Sequence, residues 1–116
     1  MKKSHNNGRK KTGKDFNILV IDDEVEMLNN YRRLLNRAGH DCLTLADPVN
    51  LESVLLEYRP DLFITDLMMP NNSGMEVLNT VTGFDQGIPV ILVTAHGSIE
   101  NAVEAMKNSA ADYLTK

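Results

Sequence analysis

The sequence predicts an α/β fold, a doubly wound five-stranded parallel sheet with helices on both faces. Apolar runs of strand length alternate with segments of helical periodicity, and the connections between them are short. The first, third and fourth runs are solidly apolar, as central parallel strands must be, whereas the second is mixed, as an edge strand tolerates. Together these observations agree with the doubly wound strand order 2-1-3-4-5.

Taken in order, "NILVI" (17–21) is the first strand. Over residues 24–38, Val25, Leu28, Tyr31, Leu35 and Ala38 fall near one helical face, and Gly39 follows as a stop. "DCLTL" (41–45) reads as the edge strand. Leu51, Val54, Leu55 and Tyr58 then suit a second helix, ended by Pro60. "DLFITD" (61–66) is the third strand, and Met75, Leu78 and Val81 suggest a helix after Gly74 with Gly83 as its stop. "IPVILVT" (88–94) is the fourth strand. Ile99, Ala102, Val103 and Met106 recur at helical spacing behind Ser98 as N-cap. "DYLTK" (112–116) opens a fifth strand. Helices one and five would share one face of such a sheet, yet the sequence supplies no helix five. A fold ending at Lys116 is therefore expected to leave apolar surface uncovered, and the chain reads as a fragment of a longer protein.

At 116 residues the chain has room for one domain. No apolar run approaches the roughly 18 residues of a membrane span, and no signal-peptide pattern opens the chain. Cys42 is the only cysteine, which excludes a disulfide framework and a cysteine-based zinc site and makes a cytoplasmic setting the default. Charge is unevenly placed. Residues 1–15 carry Lys2, Lys3, Arg9, Lys10, Lys11 and Lys14 against Asp15, while the remaining chain is strongly acidic and brings the formal total to −4. This basic leader lacks apolar periodicity and reads as disordered, with a domain over 16–116. A nucleic-acid-binding arm and a solvated extension are its two readings, the second being the plainer.

Ligands of an open parallel α/β sheet bind at the carboxyl ends of the strands. Those ends carry Asp22 and Asp23, then Asp66, Thr94 and Lys116. Carboxylates brought so close repel one another and call for a cation. Oxygen-only ligands suit Mg²⁺, which keeps several waters and shares its remaining positions with a phosphoryl group. Lys116 and the Thr94 hydroxyl suit the other phosphoryl oxygens. Each residue also has a plainer reading. Asp23 with Glu26 fits the D-x-x-E capping pattern, Asp66 could cap a turn, Thr94 could end a strand, and Lys116 could be a solvated charge. The ordered set is far harder to reach by chance.

The pieces "ILVIDDE" (18–24), "DLFITDLMMPNNSGMEVL" (61–78), "PVILVTAHG" (89–97) and "ADYLTK" (111–116) resemble the receiver domain of two-component response regulators. The most specific element is Asp66 with Met69, Pro70 and Gly74. The resemblance implies that Asp66 is the phosphoacceptor, a carboxylate nucleophile taking phosphate from a sensor histidine kinase or phosphotransfer domain. It implies Asp22, Asp23, Asp66 and the backbone carbonyl of Met68 as the Mg²⁺ site, and Lys116 as partner of the acyl phosphate. It makes Thr94 and Tyr113 the conformational switch. Met68 and His96 hold positions that tune the lifetime of the phosphorylated state; Met68 could only shield, and His96 could orient water or be a plain exposed histidine. An effector domain is expected beyond Lys116, in a transcriptional-activator or hybrid-kinase context, with homodimerisation a further expectation. Nucleic acid would be met through that missing domain, the leader being the weaker case, and no membrane partner is expected.

Two other readings compete. A haloacid-dehalogenase-type phosphatase also uses a strand-end aspartate but has a second acid two residues on, where this chain has Met68. A dinucleotide-binding unit needs glycines that "VIDDEVEM" lacks. The alternative from a different class is a receiver-like interaction module that works without phosphorylation.

Overall fold

The computed structural model describes residues 16–70 and 72–116. The leader over residues 1–15, including its expected disorder, lies outside the described residues. The elements follow in alternation: β1 (Asn17–Ile21), α1 (Val25–Arg37), β2 (Asp41–Leu45), α2 (Leu51–Tyr58), β3 (Leu62–Asp66), α3 (Gly74–Phe84), β4 (Val90–Thr94), α4 (Ile99–Lys107) and β5 (Asp112–Thr115). All five strands pair in parallel in the order β2-β1-β3-β4-β5, the expected order. A short antiparallel ribbon, Met68–Met69 against Asn72–Ser73, lies between β3 and α3 and was not read in the sequence.

Register explains the core. One row across the sheet aligns Leu45, Ile21, Thr65, Leu92 and Tyr113. On that face Leu19, Ile21, Phe63, Val90 and Leu92 are fully buried, against Leu51 and Leu55 of α2, Val77, Leu78 and Val81 of α3, and Ala105 of α4. Among the described residues the opposite face carries α1 alone, where Ile18, Val20 and Leu28 are buried. Alternation along β3 makes the imbalance visible: Phe63 is fully buried, while Leu62 and Ile64 on the α1 side are only half-buried. Leu114 of β5 is exposed. Apolar surface is thus uncovered, as expected of a sheet with four helices, and among the described residues no helix follows β5.

The helices differ from the sequence reading in three places. Helix α1 is capped by Glu24, without a side-chain capping bond, so Asp23 and Glu26 do not form the capping pair. Asp22 Oδ1 instead accepts from the Glu24 N–H at 2.9 Å. Gly83 does not stop α3, which runs through it to Phe84 and ends at Asp85. Gly39 does end α1, with φ +98°, and the His40 N–H donates back to Leu35 O at 3.0 Å.

The third difference concerns which face of α4 is buried. Ser98 caps the helix as read, its Oγ accepting from the Asn101 N–H at 3.0 Å. Yet Ile99 is 82% exposed, Val103 and Met106 are exposed, and the buried residue is Ala105. Periodicity locates an apolar stripe but does not say what it faces. Here the small alanine lets α4 approach the sheet and the large side chains point away.

Candidate functional site

The carboxyl end of the sheet gathers the residues that strand register would bring together. Asp22 follows β1 and Asp66 ends the adjacent central strand β3, just beyond the last pair between the two strands, Ile21 with Thr65. Thr94 ends β4, opposite Thr115 of β5, and Lys116 follows at once, its N–H donating to Thr94 O at 2.8 Å. Rigid strands fix the backbone of each residue, so only side-chain torsions remain to adjust.

Lys116 joins the acids. Its Nζ lies 3.1 Å from Asp22 Oδ2, 3.5 Å from Asp66 Oδ2 and 3.3 Å from Glu24 Oε1. The lysine side chain is mostly enclosed, Asp22 and Asp66 are buried, and Glu24 stands at the solvent edge. Asp23 is exposed, but one of its carboxylate oxygens lies within 4.8 Å of those of Asp22 and Asp66.

Burial raises the pKa of Asp66 above the ordinary carboxylate range, and the neighbouring Asp22 charge adds to it. Lys116 and the Met68 N–H oppose that shift. Burial also works against the charged form of Lys116. The hydrogen bond and charge of Asp22, with the charge of Asp66 and the hydrogen bond to Glu24, outweigh it and hold the ammonium above its usual range. The site therefore keeps a protonated lysine among carboxylates that outnumber it.

An open cleft of about 170 Å³ lies over these groups, lined by Asp23, Glu24, Asp66, Met68, Thr94, Ala95, His96 and Lys116. Thr94 is fully buried, and its Oγ1 accepts from the His96 N–H at 3.1 Å. Met68 and His96 are both exposed and both line the cleft. Tyr113 is half-buried, and its hydroxyl accepts from the Ser98 N–H at 3.3 Å. Its ring packs over Gly97, where an added Cβ would come within 3.3 Å of the hydroxyl oxygen.

Two contributors were not singled out in the sequence. In the sequence Glu24 marks only the start of a helix, yet its carboxylate reaches Lys116. The only signal was its adjacency to the acidic pair. Tyr31 falls in the sequence on the apolar face of α1. Burial raises its pKa, Asp22 and Asp66 push it further, and Lys116 opposes them, so the field of the site reaches that helix.

The three aspartates offer oxygen donors alone, close enough to share one small hard cation, and so fit Mg²⁺. Among the described residues, no helix is long and apolar enough to cross a membrane.

Known proteins show the same fold. The family profile of the response regulator receiver domain matches residues 18–116. The C4-dicarboxylate transport transcriptional regulatory protein DctD of Pseudomonas aeruginosa is 36% identical over 99 residues, covering 85% of this chain and 21% of that protein. A receiver domain protein from Clostridium thermocellum superposes with a TM-score of 0.79 at 38% identity, covering 86% of this chain and 81% of that one. A Burkholderia pseudomallei response regulator, solved with a phosphorylated aspartic acid, a calcium ion and citrate, superposes with a TM-score of 0.80. It is 26% identical and covers 86% of this chain and 59% of that one. The chain belongs to the response regulator receiver domain family, a family of two-component signalling whose matched relatives include transcriptional regulators. It spans 21% to 46% of the length of the first curated relatives it matches.

Proposed function

We propose that this chain is a phosphorylation-dependent switch in which Asp66 accepts a phosphoryl group from a sensor histidine kinase or phosphotransfer domain. One observation carries the reading: Asp66, buried at a central strand end, shares Lys116 with Asp22 beneath an open cleft that Thr94 also lines. The Burkholderia protein with its phosphorylated aspartic acid is a receiver of the same fold and lends support.

In this reading an Asp66 Oδ attacks phosphorus in line as the P–N bond of the donor phosphohistidine breaks, its electron pair returning to the imidazole. Asp22, Asp23, Asp66 and the Met68 carbonyl would hold Mg²⁺, which when bound neutralises charge on the phosphoryl oxygens. Lys116 leaves part of its carboxylate set to pair with a phosphoryl oxygen. Thr94 gives up the contact from the His96 N–H and turns its hydroxyl toward the phosphoryl group. Tyr113 then exchanges its Ser98 contact for the vacated space, and the exposed side of α4, with Ile99, Val103 and Met106, repacks as the output surface. Met68 shields the acyl phosphate from water on one side, and His96 stands on the other.

Residues 16–116 form the receiver in this account, and 1–15 a basic leader. The setting is cytoplasmic, and the whole protein regulates transcription through a further domain, as the name of DctD suggests. Incubation of the chain with acetyl phosphate and Mg²⁺ is expected to add one phosphoryl group by intact mass. Chelation of the metal should suppress the adduct, and Asp66→Asn should abolish it. No adduct on wild type, or one that survives Asp66→Asn, overturns the reading.

A further inference from the structure

Glu24 occupies the N-cap of α1 yet makes no side-chain capping bond. Its backbone N–H is already taken by Asp22 Oδ1 at 2.9 Å, and its carboxylate reaches across to Lys116 Nζ at 3.3 Å. That side chain lines the cleft beside Asp66, Thr94 and Lys116. Three carboxylates, those of Asp22, Glu24 and Asp66, thus reach the Lys116 ammonium, and an Asp23 oxygen lies within 4.8 Å of those of Asp22 and Asp66. Asp22 and Asp66 are buried, but the Glu24 side chain is 62% exposed, at the edge an incoming phosphodonor must pass.

We infer that Glu24 is a positioning residue that holds Lys116 toward the cleft edge and makes phosphoryl uptake selective for donors of low negative charge. Two effects act in the same direction. The Glu24 carboxylate competes with the phosphoryl oxygens for the Lys116 ammonium, and it repels an anionic donor directly. Because the Glu24 end of this ion pair stands in solvent, water screens it, so the lysine can be released when a donor arrives. A protein donor bringing its own cations to the edge would be admitted, while a free dianion would be disfavoured. This inference rests on the phosphoacceptor reading of Asp66.

The test compares two small donors on wild type, Glu24→Gln and Glu24→Lys, each with saturating Mg²⁺. Acetyl phosphate arrives as a dianion; the Asp66 Oδ–P bond forms as the P–O bond breaks and acetate leaves with the electron pair. Phosphoramidate arrives as a monoanion whose nitrogen already carries the proton; its P–N bond breaks and ammonia leaves. One unit of charge near the entering group changes the relative rates by a few-fold in water-like surroundings. Glu24→Gln is therefore expected to raise the ratio of acetyl phosphate to phosphoramidate rate constants about three-fold at low salt, and Glu24→Lys to raise it further. Near 1 M salt the ratios should converge on that of wild type, because the screening length falls to about 3 Å. A purely structural role would alter both donors alike. An unmoved ratio in a chain that is labelled on Asp66, or a shift that ignores salt, overturns the role of Glu24 alone. Failure of both donors to label wild type overturns the phosphoacceptor reading and this inference with it.

Discussion

Gly74, the eighth residue beyond Asp66, answers a constraint set by the loop that leaves the site. Its N–H donates to Leu67 O at 2.8 Å, drawing the start of α3 against the end of β3. A Cβ there would lie 2.5 Å from the Asp66 carbonyl oxygen and 2.7 Å from Leu67 Cα, both backbone atoms. Gly74→Ala is expected to cost about 2 kcal/mol or more in urea denaturation, because the backbone that presents Asp66 must move. Gly83 makes a contrast within the same helix. Nothing lies within 4 Å of the position its Cβ would take, so Gly83→Ala should stabilise by about 0.5–1 kcal/mol in the same measurement. The two glycines look alike in sequence, and reading Gly83 as the helix stop was the natural error. Among the site residues, Asp22, Asp23, Asp66, Thr94 and Lys116 were legible because strand ends are legible. Glu24 was not, since no spacing rule says that a residue at a helix cap will turn its carboxylate back to a lysine 92 positions away.

At the scale of elements, the amino ends of the strands hold a polar clasp that balances the site at the other end. The Tyr58 hydroxyl, at the end of α2, donates to Asp41 Oδ2 at 2.6 Å in a buried setting. Asn17 Nδ2 donates to Tyr58 O at 3.3 Å, and Asp61 Oδ2 accepts from the Asn17 N–H at 2.8 Å. The clasp ties α2 to the starts of β1, β2 and β3. Burial raises the pKa of Tyr58, and its hydrogen bond to Asp41 adds to this, so the phenol remains a donor. Tyr58→Phe removes that donor while keeping the ring in the core, and should destabilise by about 1–2 kcal/mol in urea denaturation. The helical spacing placed Tyr58 correctly on the buried face of α2, but its polar end needs a partner that only the parallel pairing of β1 with β2 supplies. The α4 stripe reverses the case: Ile99, Val103 and Met106 had the spacing of a core face and lie outside it. A short helix beside the edge strand β5 has less sheet to cover, and Ala105 alone seats it.

Across the whole molecule, the cluster of acids opposes the stability of the fold. Burial and the charge of Asp22 disfavour the ionised form of Asp66, and Lys116 offsets this only in part. Asp66→Asn should therefore stabilise the metal-free chain, by about 1 kcal/mol at neutral pH, in urea denaturation. Added Mg²⁺ should narrow that difference, because a ligand bound by the native acids stabilises wild type more than the variant. A destabilised Asp66→Asn chain would show that Lys116 outweighs the repulsion. The sequence by itself determined the architecture, since apolar runs of strand length and helical periodicity are local patterns that the parallel sheet merely assembles. It also determined which chemistry stands at the strand ends, because in a doubly wound sheet those ends meet at one edge whatever the side chains between them. Only the tertiary structure decided how those charges are shared. The three-way grip on Lys116, the close approach behind Gly74 and the outward face of α4 depend on distances between segments remote in the chain, and short-range patterns carry no record of such distances.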